Sequence, residues 1–217
     1  MFQPWLEQND EEREADIITH DGVDAIIAGH GRFGMTVGRA LTAQGLKTTL
    51  LDHDSSQVDA FRKFGFKMFY GDALRTDLLE AAGARQAKIM VIAIDDREKI
   101  TELVNIARTE FPDLKLFVRA YDRAHAVELL KLGVGYVYRE MFGSSMDLAK
   151  DALVTLGRSK AAAASIVTKF TQLDEEFLRR SVAVRDDQKA LQDLARESRA
   201  EIARVFAADR ESLEDQT

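Results

Sequence analysis

Between Val23 and about residue 140 the chain alternates a short apolar run with a helix-patterned segment six times over. That regularity restricts the fold more than any other property. A strand followed each time by a helix cannot pair with its successor through a tight turn; the crossover returns it in the same direction. Such alternation builds a parallel sheet with right-handed crossovers and helices on both faces. The strand candidates are 23–28, 48–52, 67–70, 88–94, 115–118 and 136–138. After Lys88, the run Ile89-Met90-Val91-Ile92-Ala93-Ile94 is continuously apolar, as a central strand buried on both faces requires. Helix-patterned segments fill 31–44, 55–64, 76–82, 96–110 and 122–131, with Gly45, Gly83 and Gly133 behind three of them as stops. Ser55-Ser56 suits the cap of the second.

The first strand runs directly into Gly29-His30-Gly31-Arg32-Phe33-Gly34. A strand feeding G-x-G-x-x-G and then a helix is a nucleotide-binding fingerprint. The first glycine permits the tight turn, the second lets backbone approach a phosphate, and the third lets helix and strand pack closely. The helix N-terminus then points its N–H groups at the anion. Thr48-Thr49-Leu50-Leu51-Asp52 ends a second strand in an acid about 18 residues after Gly34, where a carboxylate accepts bonds from ribose hydroxyls and repels a 2′-phosphate. The fold class expected is therefore an α/β Rossmann-type parallel six-stranded sheet with helices on both faces, plus a C-terminal helical extension. The cofactor expected is AMP or NAD(H).

The 217 residues suit one α/β domain with an extension, or two small domains. A net charge of −7 argues against nucleic acid, which demands a basic footprint. With no cysteine, disulfides and thiol chemistry are excluded. No run of ~18 apolar residues stands in the chain, and no basic-then-apolar signal opens it; it reads as soluble, which still suits the cytosolic piece of a membrane protein. Residues 1–21 are polar and acidic and read as a linker; 22–142 read as the nucleotide-binding domain, and 143–217 as helical. Over 159–208, Phe170, Leu173, Phe177, Val184, Leu191, Leu194, Ile202 and Val205 form one apolar stripe. It packs on its own domain or on a second subunit, with a kink or turn expected near Val182-Ala183-Val184-Arg185.

Several segments agree at once with one family: Ile26 to Gly34, Leu51-Asp52-His53-Asp54, Arg62-Lys63-Phe64-Gly65, Phe69-Tyr70-Gly71-Asp72-Ala73, Ala93-Ile94-Asp95-Asp96 and Arg119-Ala120. Together they resemble the cytosolic regulatory domain of glutathione-gated potassium efflux (Kef) systems, of the RCK or KTN class. The resemblance runs from about Ala25 to Gly157 and more loosely beyond. It implies a homodimer tethered through residues 1–21 to a membrane antiporter domain of the same full-length chain, at the cytoplasmic face of a bacterial inner membrane. It also implies a Rossmann-cleft nucleotide, closure by glutathione and opening by glutathione adducts of electrophiles, and a quinone-reductase-like ancillary subunit.

The residues carry these expectations as follows. Gly29, His30, Gly31, Arg32, Phe33 and Gly34 form the phosphate turn, with Arg32 near phosphate and ligand or merely solvated, and His30 facing phosphate or exposed in the loop. Asp52 is the ribose carboxylate; His53 contacts adenosine or caps the next helix, where Asp54 is the better cap. The resemblance puts Asp72 and Ala73 on the adenine side, although Asp72 also suits a helix cap. Ile94 and Asp95 line the cleft and Asp96 caps a helix. For glutathione and gating, the resemblance implies Arg32, Phe64, Arg119 and Thr171. Phe64 is displaced by a bulky adduct or is a core residue; Arg119 holds a ligand carboxylate or a structural salt bridge. Thr171 follows Lys169-Phe170 where relatives carry an asparagine after Arg-Phe, and is shorter. None of His20, His30, His53 and His125 has metal-ligand spacing. No catalytic constellation is visible. The competing readings are an NAD-dependent oxidoreductase fragment and a nucleotide-gated RCK domain without glutathione sensing.

Overall fold

The computed structural model describes residues 22–53, 67–184 and 186–214. The linker 1–21, the helix expected over 55–64, Asp54 and Phe64 lie outside the described residues. The sheet holds six parallel strands in the order β3-β2-β1-β4-β5-β6. They are β1 (Ala25–Ala28), β2 (Thr48–Asp52), β3 (Lys67–Tyr70), β4 (Ile89–Ile92), β5 (Lys115–Ala120) and β6 (Tyr136–Arg139). β1 lies at the centre, with Ile27 registered against Leu50 of β2 and Val91 of β4. The strand order reverses between β1 and β4, which opens a crevice at their carboxyl ends. β5 runs two residues past the sequence expectation because Arg119 and Ala120 pair with Tyr138 and Arg139 of β6.

Period-two alternation splits the apolar side chains between two cores. Ile26 and Ala28 enter the larger one, with Leu51, Met90 and Ile92. It also takes Leu79 of α2 (Thr76–Ala81), Ile100 and Leu103 of α3 (Arg97–Glu110), and Leu129 of α4 (Arg123–Lys131). Ile27, Leu50, Met68 and Val91 point the other way, where Phe33 and Val37 of α1 (Arg32–Ala43) cover them. On that same face Phe117 of β5 stacks on Tyr136, centroids 4.3 Å apart, and Tyr136 and Tyr138 stay exposed.

After β6 come α5 (Phe142–Thr155), α6 (Lys160–Val184) and α7 (Gln188–Glu214). The single stripe read over 159–208 is thus divided, and the expected break is a turn. Asp187 starts α7 by accepting from Ala190 N–H at 3.0 Å. α6 brings Leu178 into the larger core and packs against α4, α5 and α7. Two polar residues interrupt its buried face: Ser181, whose hydroxyl donates to the Phe177 carbonyl within the helix, and Asp174. Asp174, 2% exposed, accepts from both Arg123 and Arg139. Those two guanidinium groups lie over the rings of Phe177 and Phe142 respectively, so charge and aromatic contacts together fasten α6 to the C-terminal end of β6. α5 differs: it has no buried residue, and Leu148 in its middle and Leu156 at its C-terminal cap are 71% and 82% exposed. Among the described residues, no helix is long and apolar enough to cross a membrane.

Candidate functional site

The crevice between β1, β2 and β4 is a cleft of about 430 Å³ lined by the Gly29–Gly31 turn, the ends of β2 and β4, and the Gly71-Asp72-Ala73 loop. That volume falls in the range of small-molecule sites. Each glycine of the fingerprint has a distinct steric reason. Gly29 adopts φ +95°, and a Cβ there would stand 2.7 Å from the Ala93 carbonyl and the Ile94 nitrogen. A Cβ on Gly34 would meet the Gly29 carbonyl oxygen at 2.0 Å, so only glycine lets α1 press on the turn. Gly31, by contrast, faces open space apart from Asp95, which is what a backbone-to-phosphate approach requires. No side chain caps Gly31, and the first turn of α1 holds no acidic residue. The N–H groups of α1 therefore open onto the cleft, with the positive end of the helix dipole behind them.

Asp52 sits where the fingerprint predicts, its carboxylate oriented by the His30 N–H at 2.6 Å. This bond ties the Gly29–Gly31 turn to the end of β2. His53 projects 85% exposed beside it, with Nδ1 3.5 Å from Asp52 Oδ1. His30 corrects one alternative: it is 3% exposed and not a solvent-facing loop histidine. Phe33 is turned into the smaller core and is not among the residues lining the cleft. Arg32 is exposed at the first turn of α1. Asp72 accepts from Leu74 N–H at 3.0 Å in an Asx turn and caps no helix, since Arg75 occupies the cap of α2. Ala73 is buried against the cleft wall. Asp96 caps α3, accepting from Glu98 and Lys99 N–H at 2.9 and 3.0 Å.

Arg119 is 3% exposed. Its Nη2 donates to Ile94 O at 2.9 Å and Asp95 Oδ1 at 2.7 Å, and Nη1 lies 3.7 Å from Glu140 Oε2. The salt-bridge alternative describes its state, and the guanidinium braces the cleft rim from below. Thr171 is half-buried on α6, three residues before Asp174, and is not among the residues lining the cleft. Sequence reasoning passed over Lys99, Glu140 and the Asp174 cluster. Asp174 carried one readable sign, an acid on the apolar face between Phe170 and Phe177. Among the described residues, no group of histidine and acid side chains could hold a metal ion.

Comparison with known proteins agrees with this architecture. The TrkA-N domain family matches residues 25–140, and the potassium efflux system KefB C-terminal domain matches residues 144–217. The glutathione-regulated potassium-efflux system protein KefC of Escherichia coli is 37% identical over 210 residues, 96% of this chain. The chain spans about a third of that relative's length. The C-terminal domain of Kef from Shewanella denitrificans, solved in an AMP-bound form, is 46% identical; the match covers 74% of this chain and 98% of that one, with TM-score 0.69. The TrkA-N domain of the inner membrane protein ybaL of Escherichia coli is 21% identical with TM-score 0.56, a match covering 64% of this chain and all of that one, a likeness of fold alone. The two Kef relatives are transporter regulatory homologues and not enzymes, which sets the oxidoreductase reading aside. Two family matches that divide the chain where its sheet gives way to helices, and a solved relative matched over nearly its whole length, lead to one conclusion: this chain belongs to the TrkA-N domain family as a Kef-type C-terminal regulatory domain.

Proposed function

We propose that the chain is the ligand-sensing module of a bacterial potassium efflux/proton antiporter. It acts at the cytoplasmic face of the inner membrane, tethered through residues 1–21 to the antiporter domain. It binds AMP or NAD(H) in the Rossmann cleft, and its ligand site distinguishes glutathione, which closes the antiporter, from glutathione adducts, which open it. The observation that carries the reading is the joined phosphate turn and ribose acid, the His30 N–H to Asp52 bond at the open N-terminus of α1. The relatives support the rest: KefC is described as glutathione-regulated, and the Kef domain of Shewanella denitrificans was solved with AMP.

Arg32, Phe64 and Thr171 are the residues assigned to glutathione and its adducts, with Arg119 acting through the loop it braces. Opposite effects of two ligands sharing a tripeptide need differential contact with two conformations; Phe64, met by the adduct's substituent, supplies it. A homodimer is supported by α5 and its cap, whose Leu148 and Leu156 stand exposed among the described residues, and by the exposed aromatic row at β6. A quinone-reductase-like subunit docks on the assembled system.

Thermal unfolding with AMP, NADH, glutathione and a bulky S-substituted glutathione tests this. A ligand at ~100 times its Kd stabilises by about 2.7 kcal/mol, which for a chain of this size raises Tm by roughly 5–10 °C. Shifts with a nucleotide and with both tripeptides are expected. A nucleotide shift with neither tripeptide active favours the RCK domain without glutathione sensing. In the full-length protein, Phe64→Ala is expected to weaken discrimination between glutathione and adduct in potassium efflux; unchanged discrimination refutes that role.

A further inference from the structure

We infer that the acidic stretch 7–16 docks within its own chain on a row of lysines along the edge of the sheet opposite the cleft. The cleft opens at the carboxyl ends of the strands. At their other ends, four of the six strands begin with a lysine or directly after one. Lys67 and Lys115 are the first residues of β3 and β5, and Lys47 and Lys88 immediately precede β2 and β4. The order β3-β2-β1-β4-β5 sets them side by side, with β1 in the middle. One residue before the registered partners Ala25, Thr48 and Ile89, Asp24 stands level with Lys47 and Lys88. Lys115 lies one residue further along and Lys67 two. With neighbouring strands about 4.8 Å apart, the row spans roughly 19 Å. All four lysines are exposed.

A basic row runs against the balance of a chain whose net charge is −7, and it forms a local positive field. Among the described residues leading into these five strands, the other charges are Asp24, Asp113 and Arg85, and Glu80 takes the Arg85 guanidinium. Asp24, between the two middle lysines, shows how this edge receives a carboxylate. Its Oδ1 accepts from Lys88 Nζ at 2.9 Å and its Oδ2 from the Lys47 N–H at 3.1 Å. The Lys88 ammonium, and then the Lys47 N–H, hold the Asp24 carboxyl below the ordinary carboxylate range.

Charge, length and point of entry name the occupant. Residues 1–21 join the described chain at Gly22, just before β1, and so arrive at the middle of the row. Within them, 7–16 carries six carboxylates against a single base, Arg13. The residues from 17 to 23 span up to roughly 24 Å when extended, so every lysine of the row lies within reach of that stretch. So short a connection holds the carboxylates at an effective concentration in the mM range. Exposed ion pairs that are weak singly then suffice to keep the segment on the edge. Such a contact is screened by salt, since the Debye length shrinks from about 30 Å at 0.01 M to about 3 Å at 1 M. Neither a nucleotide nor the antiporter domain is needed for it.

Zero-length carbodiimide cross-linking of the 217-residue chain, followed by peptide mapping, tests the docking. Asp147 and Lys150, 3.2 Å apart on α5, provide an internal standard for the reaction. In about 0.01 M KCl, amide links are expected between carboxylates of 7–16 and the edge lysines; in about 1 M KCl they should fall by about tenfold. Mixing with an isotope-labelled copy beforehand separates links within one chain from links between copies. Trp5, the only tryptophan, gives a second reading close to the acidic stretch. Combining Lys47→Gln, Lys88→Gln and Lys115→Gln is expected to raise its quenching by acrylamide at low salt to the high-salt value. Combining Lys150→Gln, Lys160→Gln and Lys189→Gln is expected to leave it unchanged. The docking is overturned if the standard forms without links from 7–16 to the edge, if those links join two copies, or if Lys160 and Lys189 are linked equally. Equal quenching in wild type and the edge variant overturns it too. Sedimentation with phosphatidylglycerol vesicles examines the competing occupant: vesicle binding that needs the edge lysines, with no links to 7–16, assigns the row to a membrane surface instead.

Discussion

Asp174→Ala should unfold this domain at a markedly lower temperature, and the structure sets the size of the effect. The carboxylate is 2% exposed and is shared by two arginines. Arg139 is 13% exposed and lies over Phe142, so in the variant its guanidinium stays desolvated without its counter-charge. Arg123 is 47% exposed and can turn to water, so its share is that of a surface pair, at most about 1 kcal/mol. Breaking a buried pair from one side costs about 3–5 kcal/mol. With one arginine half-solvated, the lower figure applies, about 3 kcal/mol. At about 2–4 °C per kcal/mol for a chain of this length, Tm should fall by roughly 6–12 °C. Differential scanning calorimetry on wild type, Asp174→Ala, Asp174→Leu, and Asp174→Leu with Arg139→Met separates the causes. If the orphaned cation is responsible, the double variant regains most of the loss, since an apolar pair of similar volume is tolerated where a lone charge is not. A fall below about 3 °C for Asp174→Ala, or a double variant no better than the single one, refutes the reasoning.

Gly34→Ala places a methyl group 2.0 Å from the Gly29 carbonyl oxygen; α1 must lift off the turn, costing about 1–3 kcal/mol or more, and AMP binding by calorimetry should disappear. Asp52→Ala removes a charged acceptor worth about 1.5–3 kcal/mol, so AMP affinity should fall by roughly 10- to 100-fold; retention of wild-type affinity would place the ribose elsewhere. His125 is fully buried, and burial, with the Arg97 and Arg119 cations, holds its imidazole below the ordinary range against the opposing pull of Glu128 and Asp122. The unfolded chain takes up a proton near pH 6.5 and the folded chain only at lower pH. The associated stability is therefore present above pH ~6.5 and lost as pH falls below it, by up to roughly 1.4 kcal/mol at pH 5.5. Urea unfolding of His125→Gln should have a flatter profile between pH 7.5 and 5.5; an identical slope in both proteins would exonerate His125.

How much of this could be read from the chain depends on where each interaction is encoded. The sheet was legible because its signals are local: six apolar runs, stops behind three helices, and glycines where the backbone crowds itself. The glycine turn and Asp52 were legible for the same reason, since strand, turn, helix and acid follow within about 30 residues. Arg119 illustrates the limit. A charge at a strand end announces that some anion is near, and the sequence leaves open whether a ligand or the protein supplies it. The answer depends on Asp95 and Glu140, 24 positions before and one strand after it. Asp174 lies 51 positions from Arg123 and 35 from Arg139, so its partners become visible only when α6 is laid across the end of β6. His30 was misjudged in part because a turn residue reads as exposed. Here the turn is pressed between α1 and β4, and the same crowding that demands Gly29 and Gly34 buries the histidine between them. The two kinds of outcome share one cause. Steric demands of the backbone write themselves into neighbouring residues, and charge pairing is settled between elements the sequence keeps far apart.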